Sequence, residues 1–547
     1  MSKEDASLEN QDTFPSYGTT NEPKSTKALQ QCDDILKTTI GDFGRWQLKI
    51  SLLMALLKFP IAWFSLSIVF LAPPTIFWCK PPAKYATLQD NEWLKKMVPD
   101  EKNSLKQEGL NSGYCVMKDI ENGPENTLPC VDGYSYNTTV FHSSIVTEWD
   151  LVCGHQSLID ISQISLMLGI LIGNIFFGIM ADRSGRKLVL MMCISLQSVF
   201  GIIASWIPWY WGFVLARFLL AVCNGGTIVT SFVICMECVG GKWRTIVPIL
   251  YQIPFGFGNT IMSGIAYALR DWRMFHFAIS VLSGLYIFYI WFVPESPRWL
   301  IAVGRKDEAM AILQKAAIFN KKDPANVEMA MTELSNVPTE DNQKPSFSAL
   351  FSTKQLKKRS TLLCLNWTIC GITFFAFSQY LGHISGNLFF TVAVGGLITL
   401  PGTIFCVCLV ARCGRRLTIA VAHLVTACCF LAILAVPKGA FVQDWPRVLF
   451  AGLGIIGLSV SMPALYLFTG ELFPTVLRNA GVGASIMFSR IGSMVAPIIV
   501  SLQGLSNFLP LVVLTVAAFL EALLILPLPE TKGMPLPETV EDLDRLE

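Results

Sequence analysis

The run "DISQISLMLGILIGNIFFGIM" covers residues 160–180, and the basic motif "DRSGRK" (182–187) follows it almost directly. About 20 mostly apolar residues are enough to cross the hydrocarbon core of a bilayer as an α-helix. Only helices and closed barrels satisfy their backbone hydrogen bonds in lipid, and a run this long and continuous indicates a helix. By the positive-inside rule, the basic motif behind the run belongs on the cytoplasmic side.

The same pattern recurs along the chain, which has 547 residues, is 52% hydrophobic and has a mean hydropathy of +0.49. These values are too high for an ordinary soluble protein. We therefore predict an all-α integral membrane protein with twelve transmembrane helices. The formal net charge of only +2 indicates no polyanionic partner such as nucleic acid. The predicted spans are 46–71, 160–180, 187–207, 211–233, 246–268, 274–293, 361–381, 387–410, 417–436, 446–469, 480–502 and 508–528.

Lysine and arginine residues orient the predicted helices. The connections after helices 2, 4, 6, 8 and 10 are basic, so they and both termini are expected in the cytoplasm. The predicted organisation is a cytoplasmic N-terminal tail (1–45), a first six-helix half (46–293) with an extracellular loop (73–156), a cytoplasmic linker with amphipathic helices (294–360), a second six-helix half (361–528) and a cytoplasmic C-terminal tail (529–547).

The predicted extracellular loop carries two independent signs of the secretory route. Its four cysteines form an even set that predicts two disulfides with three possible pairings, and Asn137-Thr138-Thr139 is a glycosylation acceptor sequence. Both modifications require passage through the secretory pathway, so we expect the plasma membrane, with an internal membrane as the alternative. The loop cysteines are Cys79, Cys115, Cys130 and Cys153.

Three motifs occur twice at nearly constant separation. "DRSGRK" matches "ARCGRR" (411–416), Glu237 matches Glu471, and "PES" (294–296) matches "PET" (529–531), at separations of 229, 234 and 235 residues. We infer two pseudo-symmetric halves, an architecture in which one half rocks against the other to give alternating access. The charged motifs are predicted to latch the inner gate across the halves, or else to signal topology only. The predicted gating residues are Asp182, Arg183, Gly185, Arg186, Glu237, Arg244, Arg415, Glu471 and Arg478.

From about residue 40 onward, the chain resembles the major facilitator superfamily and, within it, the organic ion transporters of solute carrier family 22. The most specific motif is "SSIVTEWDLVC" (143–153), at the end of a large loop with cysteines. "PESPRWL" (294–300), "TGELFPTVLRNAGVG" (469–483) and "PETKGMPLPETVED" (529–542) add to the resemblance. It implies transport of small organic ions and zwitterions.

Two basic residues lie in the middle of predicted helices: Lys58 in helix 1 and Arg490 in helix 11. A charge at mid-bilayer costs roughly 2.5–3.5 kcal/mol, so such residues tend to face a cavity or a partner. Each could bind an anionic substrate group, pair with a carboxylate such as Glu521 or Glu237, or brace helices through backbone carbonyls. The resemblance favours substrate binding at Arg490, because anion and carnitine transporters of this family carry arginine at the matching position.

Aromatic and amide side chains on the central helices could line an apolar cavity for a ring-bearing substrate. Gln252 and Asn259 are seven residues apart and share one helix face, where they could bind a ligand or bond neighbouring helices. Each aromatic residue alone is more often part of the core. The predicted substrate-binding residues are Arg490, Lys58, Tyr251, Gln252, Asn259, Trp367, Phe374 and Tyr380.

These features predict a secondary-active or facilitative transporter of organic anions or carnitine-like zwitterions, working by alternating access. The alternatives are an organic cation transporter driven by the membrane potential and a receptor-like homologue that transports nothing. The expected partners are a small organic ion, the lipid bilayer and a co- or counter-transported ion. We expect no enzyme activity, because "VGGKW" (239–243) lacks the Ser or Thr of a phosphate-binding loop. We expect no cofactor and no metal, because "CMEC" (235–238) has no second ligand pair.

Overall fold

The computed structural model describes residues 37–82, 85, 90–97, 106–107, 112–119, 127–241, 243–335, 350–384, 387–437, 439–474, 477–506 and 508–534. The rest of both predicted tails, linker residues 336–349 and Lys242 lie outside the described residues. The membrane helices are α1 (Arg45–Leu56, Lys58–Leu66 and Ile68–Leu71), α2 (Ser157–Ser184), α3 (Arg186–Trp206), α4 (Tyr210–Cys238), α5 (Trp243–Leu250 and Ile253–Leu269), α6 (Trp272–Gly284, then Leu285–Phe288 and Tyr289–Phe292), α7 (Lys354–Tyr380), α8 (Leu388–Cys413), α9 (Arg415–Ala435), α10 (Trp445–Leu472), α11 (Arg478–Ser501) and α12 (Leu509–Ile525).

Each predicted span corresponds to one of these twelve helices, so the all-α prediction is confirmed. Ten of them are long and apolar enough to cross a membrane, while α12 is a shorter apolar helix and α5 is divided into two short segments. The division of α5 has a local cause. Pro254 has no backbone N–H to donate to the carbonyl one turn earlier, and the helix breaks at Tyr251 and Gln252.

Helix α7 begins at Lys354, earlier than the expected residue 361. Its first two turns are polar, and hydropathy marks only the part of a helix that lies in lipid. The Thr353 hydroxyl caps this polar extension by accepting from the backbone N–H of Leu356 at 3.3 Å.

The described linker forms three helices, Pro297–Ala302, Lys306–Phe319 and Ala325–Ser335. The middle helix buries an apolar face against the first half, formed by Ala309, Leu313, Ala316 and Ala317. Asn320, directly after it, accepts from the Trp46 backbone N–H at 2.8 Å and donates to the Ile40 carbonyl at 3.0 Å. These contacts fix the linker to the start of α1.

Small residues allow close helix packing within each half. The clearest case is the α7–α11 pair in the second half, where Gly371 faces the Ser489 carbonyl and Gly492 faces the Thr368 carbonyl. Neither glycine leaves room for a side chain, so the two backbones lie in direct contact. This contact holds α11, and therefore Arg490, against α7.

The loop between α1 and α2 contains short strands that the sequence pattern did not reveal. They are β1 (Ile76–Cys79), β2 (Lys106–Gln107), β3 (Ser112–Tyr114), β4 (Val116–Lys118), β5 (Thr127–Pro129) and β6 (Tyr134–Tyr136), arranged as one sheet in the order β2-β3-β1-β6 and a separate β4-β5 pair. The disulfides are Cys79–Cys130 and Cys115–Cys153, which selects one of the three expected pairings. The Tyr136 hydroxyl donates to Asp150 at 2.7 Å, and burial together with that carboxylate raises its pKa.

Candidate functional site

A cavity of about 160 Å³ lies between the two halves, with walls formed by α1, α4 and α5 from the first half and α7, α8, α10 and α11 from the second. A cavity of similar size, about 150 Å³, holds a benzene ring when its walls are apolar. Six of the eight predicted substrate-binding residues line it. They are Lys58, Gln252, Asn259, Trp367, Phe374 and Arg490.

The other two, Tyr251 and Tyr380, do not line the cavity. Tyr251 lies in the break of α5, directly after its first segment, and its buried hydroxyl is 2.7 Å from the Ser231 hydroxyl of α4. Tyr380 ends α7 and is hydrogen-bonded to Arg447 at the start of α10. Each hydroxyl therefore has a partner that is not among the cavity-lining residues.

Lys58 reaches the cavity at an irregularity in α1, directly after Leu57, which separates two helical segments. Its side chain is only 7% exposed, and its ammonium lies 4.5 Å from the centre of the Tyr251 ring. A cation over an aromatic face is stabilised by the quadrupole of the ring. Tyr251 thus positions Lys58 beside the cavity.

Arg490 approaches the cavity from the opposite half. Its guanidinium lies 5.6 Å from the centre of the Phe375 ring, and its Nε has no hydrogen-bond partner within the described residues. The carboxylates proposed as partners from the sequence are engaged elsewhere. Glu521 contacts His423 at 2.7 Å, and Glu237 contacts Arg186 at 3.2 Å. Over the described ranges, neither Arg490 nor Lys58 forms an ion pair or a side-chain hydrogen bond.

The remaining cavity wall is aromatic with scattered hydroxyls, and most of it was not named from the sequence. On α7, Trp367 and Phe374 are seven residues apart, so the helical period places them on one face. Tyr466 of α10 packs edge-on against Trp367, with ring centres 4.6 Å apart. No sequence signal separates such residues from ordinary core residues. The other unpredicted residues include Phe255, Phe377, Ser378, Thr399, Thr403, Ser459 and Ser489.

The repeated charged motifs form one network in each half. In the first half, the Arg186 guanidinium donates to Asp182 at 2.9 Å and to Glu237 at 3.2 Å. Glu295 of "PES" accepts from the backbone N–H groups of Arg186 and Lys187 at the start of α3. A carboxylate there is stabilised by the partial positive charge of a helix N-terminus.

In the second half, the Arg415 guanidinium forms a two-pronged pair with Glu471, with both N···O distances 2.9 Å. Glu530 of "PET" accepts from the backbone N–H groups of Arg415 and Arg416 at the start of α9. Gly185 and Gly414 precede the two capped helices with φ of +105° and +90°. A Cβ at either would lie within 3 Å of the capping carboxylate, so glycine is required at both.

Among the described residues, the ion pairs of Arg186 and Arg415 each join residues of a single half, and the latch across the halves stays a prediction. Arg183 is exposed at the end of α2. Arg244 and Arg478, which occupy matching positions in the repeat, are near enough for their like charges to interact across the interface.

On the loop side of the cavity, the two halves are packed together. The Ser263 hydroxyl of α5 donates to the Phe389 carbonyl of α8 at 2.7 Å, and Phe389 stacks on Phe70 of α1 with ring centres 5.7 Å apart. Asp160 of α2 is hydrogen-bonded to Ser501 of α11. These contacts separate the cavity from the disulfide-linked loop.

Residues 87–543 match the protein family described as "Sugar (and other) transporter". Similar proteins include solute carrier family 22 member 3 of Rattus norvegicus (33% identical, covering 92% of this chain and 94% of the relative) and the organic cation transporter protein of Drosophila melanogaster (31% identical, 93% and 94%). Organic anion transporter 3 of Sus scrofa is 31% identical, with 92% of each chain covered.

Among solved structures, the inward-open conformation of the xylose transporter XylE from E. coli superimposes with a TM-score of 0.62. The match covers 91% of this chain and 99% of that one at 15% sequence identity, which supports the fold alone. The predicted family and fold class are both confirmed.

Proposed function

The chain belongs to solute carrier family 22 of the major facilitator superfamily and is a multi-pass membrane transporter, and on this basis we propose that it carries organic anions or zwitterions with a carboxylate. The observation that supports this choice is the charge of the cavity wall. Lys58 and Arg490 line it from opposite halves, and the described lining includes no Asp or Glu. An anionic group between them would compensate both charges at once.

The chemistry of the two cations suits a carboxylate. The Arg490 guanidinium can form two parallel hydrogen bonds with its oxygens, and the Lys58 ammonium can supply a third donor. A hydrogen bond to a charged group contributes about 1.5–3 kcal/mol, which corresponds to roughly 10- to 150-fold in affinity. The aromatic side chains Trp367, Phe374 and Tyr466 would surround the apolar body of the substrate.

The membrane potential distinguishes anions from zwitterions. A negative cell interior opposes entry of an anion by about 2.3 kcal/mol per charge per 100 mV, whereas a zwitterion is not opposed. Net uptake of an anion therefore requires exchange or a co-transported cation. Cation transport driven by the potential is the competing function, because similar proteins include one named as an organic cation transporter. Two fixed positive charges in the cavity oppose it.

We further propose a plasma-membrane location with both termini in the cytoplasm and a glycan on Asn137. The disulfide-linked loop supports an extracellular placement, because disulfides persist in oxidising compartments. Asn137 is exposed, and its side-chain oxygen accepts from the Thr139 hydroxyl at 2.7 Å. The Arg186 and Arg415 networks would then lie at the cytoplasmic ends of the two halves, where they could regulate opening of the inner gate.

The test is uptake by expressing cells of three labelled probes: a monovalent aromatic carboxylate, a carnitine-like zwitterion and a quaternary ammonium cation. Wild type is compared with Arg490→Gln and Lys58→Gln at matched surface expression. Ile491→Ala is the control variant, because Ile491 is adjacent to Arg490 but exposed on the outer surface of α11.

We expect uptake of the carboxylate or zwitterion to fall at least 10-fold in Arg490→Gln and to persist in Ile491→Ala. If the wild type carries only the quaternary ammonium cation, and Arg490→Gln carries it equally well, the proposal is wrong and Arg490 is a structural residue. If no probe enters, even at high surface expression, the receptor-like alternative gains support.

A further inference from the structure

Three side chains with metal-binding atoms meet in the core of the second half, outside the substrate cavity. They are Cys370 of α7, His423 of α9 and Glu521 of α12. Their sulfur, nitrogen and oxygen donors all lie within 4.8 Å of one another, and each side chain is fully buried. We propose that they bind a divalent cation of the zinc type, which holds α7, α9 and α12 together.

The first supporting observation is the geometry of the His423–Glu521 contact. His423 Nδ1 is 2.7 Å from Glu521 Oε2, yet the two atoms are not aligned as a hydrogen bond, and neither has another hydrogen-bond partner in the described structure. An ion about 2.1 Å from each atom would lie about 50° off the line that joins them. Both atoms are therefore free to turn towards an ion beside the line that joins them.

The second observation is charge balance. The Cys370 thiol releases its proton when it binds the ion, and Glu521 binds as a carboxylate. These two negative charges and a neutral imidazole exactly compensate a doubly charged cation, so the site carries no net charge. A buried site in a membrane protein needs this balance, because an uncompensated charge in a medium of low dielectric constant is costly.

The neighbouring residues supply further donors and support. The Met462 sulfur lies 3.5 Å from the Cys370 sulfur and could complete a four-ligand site with a borderline-soft cation. The Thr373 hydroxyl donates to the other oxygen of Glu521 at 3.4 Å, which orients the carboxylate. Met462 also lines the substrate cavity, so it marks the side from which an ion could enter.

Ion binding requires only a small adjustment of the observed positions. Two tetrahedral ligands of zinc at about 2.1 Å are roughly 3.4 Å apart, so His423 Nδ1 and Glu521 Oε2 would separate by about 0.7 Å. Rotation about the side-chain bonds of Glu521 can supply this movement. The site would be closed and structural, since full burial leaves no coordination position open to solvent.

The test is the metal content of the purified full-length transporter, fused to a tag without histidine and measured by mass spectrometry. We expect about one zinc per chain in the wild type, as for a structural site. Zinc should be lost in Cys370→Ser and His423→Gln and retained in Cys364→Ser. Cys364 is a matched control, because it is a buried free cysteine on the same helix but outside the cluster.

X-ray absorption at the zinc edge of the wild-type protein gives a second test that does not depend on folding of the variants. We expect one or two sulfur ligands at about 2.3 Å and nitrogen or oxygen ligands at about 2.0–2.1 Å. A wild-type protein without stoichiometric metal overturns the proposal, as does a zinc content unchanged in Cys370→Ser or a spectrum without sulfur ligands. None of these results depends on the identity of the transported substrate.

Discussion

The direct backbone contact between α7 and α11 makes Gly492→Ala a sharp test of how the cavity is held together. A Cβ at residue 492 would lie 1.9 Å from the Thr368 carbonyl oxygen and 2.8 Å from its carbon. The neighbour is backbone, so no side-chain rotation relieves the clash. The variant must move one helix away from the other.

The size of the movement follows from ordinary contact distances. The Thr368 oxygen lies 1.9 Å from the added Cβ, and an ordinary contact is about 3.4 Å, so the two helices must move apart by roughly 1.5 Å. Overpacking of this kind costs about 1–3 kcal/mol of folding free energy. At about 2 °C per kcal/mol for a large domain, the melting temperature should fall by roughly 2–6 °C. Uptake should fall as well, because α11 carries Arg490 while α7 carries Trp367 and Phe374.

Thermal unfolding of the purified protein, followed by tryptophan fluorescence, measures the first effect, and cellular uptake at matched surface expression measures the second. Gly483→Ala is the control, since it lies on the same helix and a Cβ there meets nothing within 4 Å. We expect the control to be neutral or slightly stabilising, because alanine favours helices more than glycine does. Equal melting temperatures for the two variants would refute the close α7–α11 contact.

Three further predictions concern the caps and the loop. Glu295→Gln and Glu530→Gln should each lower the free energy of unfolding by about 1 kcal/mol, since each removes a negative charge from a helix N-terminus. Their effects should add, because the two caps lie in different halves. Clear non-additivity in the melting temperature of the double variant would show that the caps are coupled. Asn137→Gln and Thr139→Ala should abolish a glycosidase-sensitive gel shift that Thr139→Ser retains; an unchanged shift in Asn137→Gln would place the glycan elsewhere. Cys115→Ser should allow a membrane-impermeant maleimide to label Cys153, identified by peptide mass spectrometry; labelling of Cys79 or Cys130 instead would contradict the pairing.

The helices could be predicted from the sequence because a lipid environment imposes a simple rule on length and hydropathy. The rule does not report where a helix breaks, so the division of α5 at Tyr251 was missed. The break also explains which of the predicted α5 residues line the cavity. Gln252 and Asn259 line it as their spacing suggested, whereas Tyr251 turns towards α4 and Lys58.

The buried cluster shows a different limit of sequence reasoning. Cys370, His423 and Glu521 lie on three helices, and no local pattern connects them. On α7, Thr373 contacts Glu521 of α12 while Trp367 and Phe374 line the cavity. At about 100° per residue, Cys370 lies between these two faces, so one helix serves both sites with adjacent faces. Periodicity can assign residues to a face, but which helix packs against that face is decided by tertiary structure.

The two charged networks show how far the internal repeat extends and where it stops. Gly185 and Glu295 correspond to Gly414 and Glu530 in both sequence and geometry. In each half, the glycine directly precedes a helix and the glutamate caps the N-terminus of that helix.

The repeat departs from symmetry at Asp182, which the second half replaces with Ala411. Arg186 divides its donors between Asp182 and Glu237, whereas Arg415 places two on Glu471 alone, and the Thr531 hydroxyl donates to the same carboxylate at 2.6 Å. The hydrogen bonds of the second network therefore converge on one carboxylate, whereas those of Arg186 are shared between two. Any step of the transport cycle that must separate these charges should open first in the first half, where Arg186 keeps Asp182 at the end of α2 as a partner when Glu237 moves away.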